Sequence, residues 1–391
     1  MKSLILSIFS STAILVAVAA VFSGCMDSYE SEDVVDRGVI RHPTAESIPD
    51  ADQVAHVISE AGPVDQGAKP LIDRLSRSAE VLVVGVLEGE VHEMFGQIED
   101  LAADTEGNFY VLDDRNYVVR VFDSSGEFVR HHGAPGEGPG EFRAPSALEI
   151  DGTNRLLVAD RIRRITAFSR ENANVGTTLA LQDSPLDLCL SASRMYIHAT
   201  GSERGGIVHA LDTTGAYLDS FGSGYQFGGA MAREDLSRGS LTCSQRTDDV
   251  VFTFRYVPLM RGYSSQGEIK WTSSLSDFNP MRITEDASTH MLTYSGNEGV
   301  SDVMHHLTVI DGTDYVLVQV LRRTPESIQE RKEYAQILTY VVHLETGAGG
   351  YVGNELPPVY AVVAGRLYAA VNWPYPQVLV YELPPEIRPG V

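Results

Sequence analysis

Leu101-Ala-Ala-Asp104, Gly107, Phe109-Tyr-Val-Leu-Asp113, Arg120-Val-Phe-Asp123 and Gly126-Glu-Phe-Val129 decide how this chain folds. Short runs rich in Val, Leu, Tyr and Phe alternate here with turn residues, the pattern of β-strands joined by tight turns. The stretch then recurs. Leu148-Glu-Ile-Asp151, Arg155-Leu-Leu-Val-Ala-Asp160 and Thr166-Ala-Phe168 repeat it, and Asp151 and Asp160 are spaced as Asp104 and Asp113 are, so the two units are in register. A third copy begins at Leu188-Cys-Leu-Ser191, a fourth at Leu241-Thr-Cys-Ser244, a fifth at Leu307-Thr-Val-Ile-Asp311 and a sixth at Val359-Tyr-Ala-Val-Val363. Self-similarity at a fixed period means stacked units that bury their faces against one another.

Each unit reads as four short antiparallel strands, A innermost to D outermost. The sixth runs out of chain before its D strand, and Val81–Val86, ahead of the first unit, is placed to supply it. Closure from the opposite terminus removes the open edge of an incomplete ring. The expected fold is therefore all-β, a six-bladed β-propeller of four-stranded antiparallel blades over residues 80–391, with an N-terminal strand completing the last blade.

The segments Asp113-Asp-Arg-Asn116, Arg120-Val-Phe-Asp123 and Gly133-Ala-Pro-Gly-Glu-Gly-Pro-Gly-Glu-Phe142 resemble the NHL-repeat family of six-bladed β-propellers, and most nearly the bacterial lipoproteins described as 6-bladed beta-propeller proteins. The resemblance covers about residues 80–383. It implies a ring whose channel and loops carry any function, with binding proteins and lyase- or lactonase-type enzymes among proteins of similar architecture.

The N-terminus reads as a leader. Lys2 is a minimal charged start, Leu4 to Phe22 are apolar apart from Ser and Thr, and Ser23-Gly24 precede Cys25. This pattern is expected of a secretory signal over residues 1–24, with an uncleaved membrane anchor as the alternative that the length of the run allows. Phe22-Ser23-Gly24-Cys25 resembles the bacterial lipobox, with Phe22 where Leu is usual, and implies lipidation of Cys25. Several acyl chains at about 0.8 kcal/mol per buried methylene hold a soluble domain at a membrane. Met26, rather than Asp, follows the Cys, which by the same resemblance implies the outer membrane. Residues 25–79 then read as the lipidated Cys and an acidic, solvated linker broken by Pro43, Pro49 and Pro63, with a short helix an option around 53–61.

With 53 Asp+Glu against 30 Lys+Arg the net charge is −23, which excludes nucleic acid and anionic lipid surfaces as partners. The lipid alone is expected to hold the chain, a monomer, at the membrane. Cys189 and Cys243 are expected as two buried free thiols, a disulfide between them being the alternative that an oxidising compartment allows.

Asp113 and Asp160, each ending a B strand, are expected to accept backbone N–H bonds and pin the following turn, with Arg120 as a structural partner. The glycine-rich run Gly133–Gly140 lacks the following helix and Lys-Ser/Thr of a phosphate cradle and reads as the loop between blades one and two. In a propeller the B–C turns and D–A loops share one face around the channel. That top face should carry Asp113, Arg115, Asn116, Arg161, Arg163, Arg255, Tyr256, His305, His306, Trp373 and Tyr375, with a short helix within Thr324–Gln336 capping part of it. Adjacent residues of a strand point to opposite faces, so His131-His132 and His305-His306 make poor two-ligand units for a metal. No metal site and no cofactor are expected; a channel metal is the alternative.

The expected role is a non-catalytic binding or scaffold module for a protein, peptide or glycan. The alternative is a propeller enzyme of lyase or lactonase type.

Overall fold

The computed structural model describes residues 48, 54–169, 177–226, 228–286, 288–296 and 298–385. Six antiparallel sheets form the blades. Blade one is Ile98–Ala103, Phe109–Asp113, Val118–Phe122 and Phe128–His132, paired in that order, and each later blade repeats the plan. The B strand Phe109–Asp113 is buried at every position, because both of its faces meet a neighbouring blade. The outermost strand Phe128–His132 alternates with solvent. Period-2 patterning is thus clear only at the rim, and the inner strands read as continuous apolar runs.

Inner strands touch in the order Ile98–Ala103, Pro145–Ile150, Asp187–Leu190, Gly239–Cys243, Ser301–Val309, Val359–Val363 and back to the first. The core lies in layers between blades, such as Leu112, Val119, Phe142, Val158 and Phe168 between blades one and two. Strand β1 is His56–Ile58 and β2 is Ala79–Val84. As expected, a strand from the N-terminal side closes the ring: β2 pairs antiparallel with Gln377–Glu382, Leu82 opposite Val380. It ends at Gly85, whose φ of +120° and whose missing Cβ, which would lie 2.6 Å from the Pro376 carbonyl oxygen, admit only glycine. A second closure comes from Asn372, whose amide accepts from Ile98 N at 2.8 Å and donates to Ile98 O at 2.9 Å. One side chain therefore satisfies both backbone groups at the free end of blade one.

Three features depart from the expectations. First, residues 54–79 are not a solvated linker. β1 lies parallel to Ile269–Leu275 as a fifth strand of blade four, where a helix was the option considered. Helix α1 (Lys69–Leu75) buries Leu71 and Leu75 against Leu317, Val341, Val359 and Leu367 of blades five and six. Asp65, counted as a solvated acid, accepts from the Tyr315 hydroxyl at 2.7 Å. The few apolar residues of this stretch sit where they cover blade edges, and that docking outweighs the acidic composition. Residues 26–47 lie outside the described residues.

Second, Cys189 and Cys243 form a disulfide, with Cα atoms 5.9 Å apart. They stand on adjacent inner strands of blades three and four, which converge on the channel within bridging range. A separation of 54 residues conceals that proximity in the sequence. Third, two elements interrupt the repeats: helix α2 (Ala230–Leu236) before blade four, and a hairpin of Arg282–Glu285 with Leu292–Ser295 before blade five. Helix α3 (Pro325–Gln329) falls within the expected insertion, and Thr324 and Ser327 form a reciprocal capping box at its start.

Candidate functional site

The B-strand aspartates take the architectural role. Asp113, fully buried, accepts from Gly96 N (2.8 Å), Gln97 N (3.3 Å) and Asn116 N (3.1 Å), and pairs with the buried Arg120. Asp160 repeats this with Arg143 N (3.0 Å), Ala144 N (2.9 Å) and Arg164 (3.0 Å). Each carboxylate ties the entry of its own inner strand to the B–C turn. The glycine-rich loop is likewise structural: Arg164 donates to the Glu137 carbonyl at 2.9 Å and to that of Glu141, and Phe142 plugs the core beneath Gly133.

What faces the channel is set by bulges near the top ends of inner strands. Ile98 and Asp100 oppose the adjacent pair Asp113 and Leu112, leaving Glu99 extra. Ser146 and Tyr360 are extra in the same way. In blade five, Met304 and Leu307 oppose Val320 and Val318, so His305 and His306 together face one residue, Gln319. A bulge re-aims side chains that a regular pleat would send to opposite faces. Both histidines therefore line the channel mouth, with ring centroids 5.2 Å (His305) and 5.3 Å (His306) from Tyr360.

A cavity of about 290 Å³ opens to the top face, ringed by Glu99, Arg255, Arg323, Glu333 and Asn372. A second of about 290 Å³ opens below, and the two share Asp100, His306 and Tyr360 as a waist. Asp100 accepts from Leu101 N and from Leu148 N of blade two, both at 2.8 Å. Asp187 does the same two blades further on, between blades three and four, from Leu188 N and Leu241 N at 2.8 Å, and from the Ser240 hydroxyl at 2.9 Å. These aspartates clasp neighbouring inner strands while their free lone pairs remain available to the channel.

Burial governs the titration here. It pushes the Asp100 carboxyl up to about 6, opposed by His306 and reinforced by Asp187. Glu149, half-buried in the lower channel, is pushed up to about 8 by burial and then by Asp100 and Asp187. Asp187 is raised by burial, with His306 opposing. Burial, then His306 and Arg255, drives His305 down to about 3, so it is neutral at pH 7. Tyr360 is raised well above the ordinary phenol value by burial.

Of the sequence-predicted residues, Arg255, His305 and His306 line the mouth, while Asp113 is buried as a turn anchor and Asn116 donates to it at 2.8 Å. Arg161 is exposed and pairs with Glu99 at 3.3 Å. Arg115 and Arg163 are exposed on B–C turns outside the lining. Tyr256 stacks near Tyr294 (5.5 Å), with the Arg255 guanidinium 5.7 Å from its ring. Trp373 is 47% exposed beside Asn372, with Lys332 Nζ 5.2 Å from its ring centroid. Tyr375 is half-buried and not part of the lining. Cys25 lies outside the described residues.

The sequence reading missed Asp100, Asp187, Ser240, Tyr360, Arg323 and Glu333. A signal existed for three of them: the residue before the opening Leu of the repeat is Asp100, Asp187, Ser240 and His306 in blades one, three, four and five. Among the described residues, no group of three or more His, Cys, Asp or Glu is arranged to hold a metal ion.

Residues 86–205 match the model of the DUF5128 family, described as 6-bladed beta-propeller. The chain is similar in fold to an exported protein of Bacteroides fragilis, at 11% identity and a TM-score of 0.51 over 84% of this chain and 99% of that one. It is similar also to a member of the duf4221 family from Bacteroides vulgatus, at 11% identity and a TM-score of 0.52 over 79% and 98%. No curated protein matches the sequence. These likenesses agree with the six-bladed propeller.

Proposed function

We propose that this protein is a non-catalytic binding module of the bacterial cell envelope, lipid-anchored through Cys25, which holds a peptide segment of a partner protein in the top mouth of its channel. The observation that carries the reading is the mouth itself. An open cavity of about 290 Å³ is ringed by charges of both signs, Arg255 and Arg323 against Glu99 and Glu333, with Trp373 and Lys332 beside it. Alternating charge with an exposed indole suits a peptide backbone and its flanking side chains. The carboxylates deeper in the channel are engaged in clasping strands, which favours a scaffold over a centre for proton transfer.

The leader supports the envelope placement and the lipid supports a peripheral attachment. Photo-crosslinking in intact cells tests the binding role. A benzoylphenylalanine at Trp373 is expected to capture a discrete partner that Arg255→Glu abolishes, and one at Leu218, exposed on the outer strand of blade three, is not. Equal labelling from both positions would refute a top-face site. Stoichiometric metal in protein purified without chelators would move the reading to a propeller enzyme.

A further inference from the structure

The waist of the channel carries the acceptors Asp100 and Tyr360 against one imidazole, His306, with Asp187 lining the cavity just above it. Asp100 spends one lone pair of each oxygen on a backbone N–H and keeps another on each, whereas Asp187 keeps one only on Oδ1, its Oδ2 accepting from both Leu241 N and the Ser240 hydroxyl. Tyr360 is 8% exposed, lines both cavities, and its hydroxyl has no hydrogen-bond partner among the described residues. His305 Nε2, beside it, is buried without a partner as well. A phenol hydroxyl that no protein group matches, at the waist of a polar cavity, is open to a ligand's donor.

Such a ligand has to bring donors and positive charge. The carboxylates here are Asp100 at the waist and Asp187 just above it, two against the single imidazole of His306, and an excess of one sign concentrates the opposite charge. A guanidinium prefers a coplanar carboxylate edge that can accept two parallel bonds. Here the free lone pairs belong to carboxylates on separate blades and to a phenol on a third, an arrangement that suits the three divergent donors of a compact ammonium. Above the waist, Val303 and Leu321 supply apolar lining for an aliphatic stem.

We propose that the waist receives the primary ammonium of a lysine side chain, inserted from the top mouth between Asp100, Asp187 and the Tyr360 hydroxyl. This rests on the peptide-binding reading: the mouth holds the backbone, and the waist selects the residue. Arg255 and Arg323 then meet carbonyl or carboxylate groups flanking that lysine.

The test uses four pools of N-acetylated, C-amidated heptapeptides, randomised around a fixed central lysine, arginine, norleucine or Nε-acetyl-lysine. Binding to the full chain is measured by fluorescence anisotropy. The lysine pool is expected to bind at least 10-fold more tightly than the other three. Asp100→Asn should remove most of that preference, and Tyr360→Phe, which keeps the ring packing and folds as the parent does, should reduce it 3- to 10-fold. If all pools bind alike and binding still needs Arg255, the lysine inference fails and the top-face reading survives. If no pool binds, both fail. Lysine preference unchanged by both variants would also overturn the assignment of the waist.

Discussion

Reducing the Cys189–Cys243 disulfide, which stitches the inner strands of blades three and four, should cost the protein a large part of its stability. The bridge closes a loop of 54 residues. Chain-entropy loss for a loop of that length is about 14 cal/mol/K, or about 4 kcal/mol at 25 °C. Urea unfolding followed by tryptophan fluorescence reads the effect within blade four. Of the two tryptophans, Trp373 is largely exposed, whereas Trp271 is buried in blade four with its indole N–H on the Leu344 carbonyl at 2.8 Å. With an m-value of about 3 kcal/mol/M, the midpoint should fall by a little over ~1 M on reduction. Wild type held reduced isolates the bridge from the loss of sulfur volume in Cys189→Ala/Cys243→Ala. Oxidised and reduced midpoints within about 0.3 M of each other, or non-reducing mass spectrometry that finds residues 189 and 243 unlinked, would refute the reasoning.

Other perturbations probe the remaining joints. Asn372→Ala strips partners from both backbone groups of Ile98 and should cost about 2–4 kcal/mol in urea unfolding, with hydrogen exchange rising first at blade one. Leu75→Ala, at a fully buried position of α1, should cost about 2–5 kcal/mol; a neutral result would mean that the strap before blade six is not docked. Arg120→Ala leaves Asp113 charged and buried and should cost about 3–5 kcal/mol by the same measurement. Stability should also fall as pH rises above neutrality. Asp100 and Glu149 hold protons in the folded state, up to about 6 and about 8, that the unfolded chain has already released. Their contribution is therefore complete below about pH 4 and is lost through those two values. Urea midpoints should drop between about pH 7 and 9, and Glu149→Gln should flatten that drop. Below that range the buried neutral His198 and His305 add stability as the unfolded imidazoles lose their protons.

Much of the ring was legible in the chain. The register of Asp104 and Asp113 with Asp151 and Asp160 marks the blades, and Asp113 with Arg120 was read as architecture, which the buried ion pair bears out. The top-face residues were legible only as a set of turns. Arg255 reaches the cavity while Arg115 and Arg163 stay outside it, because which turn leans inward depends on the neighbouring blade. That both histidines of the pair line one cavity was not legible, for a definite reason. Alternation along a strand assumes a regular pleat, and the bulge between Met304 and Leu307 breaks it. Acidity also misled at residues 54–79, where a handful of apolar side chains on β1 and α1 decide the outcome.

The sequence by itself determined the all-β repeat, the six blades and the closing strand, since these follow from short-range alternation, turn residues and a fixed period. That a leader ends at a lipobox-like Cys25 is an expectation from the sequence, and Cys25 lies outside the described residues. Only the tertiary structure decided that Cys189 meets Cys243, that Asn372 seals blade six to blade one, and that Asp100, His306 and Tyr360 stand around one waist with Asp187 just above it. These are meetings of residues from different blades, tens to hundreds of positions apart. The repeat brings such residues to the same radius, and the bulges and the curvature of the closed ring select which of them face the channel.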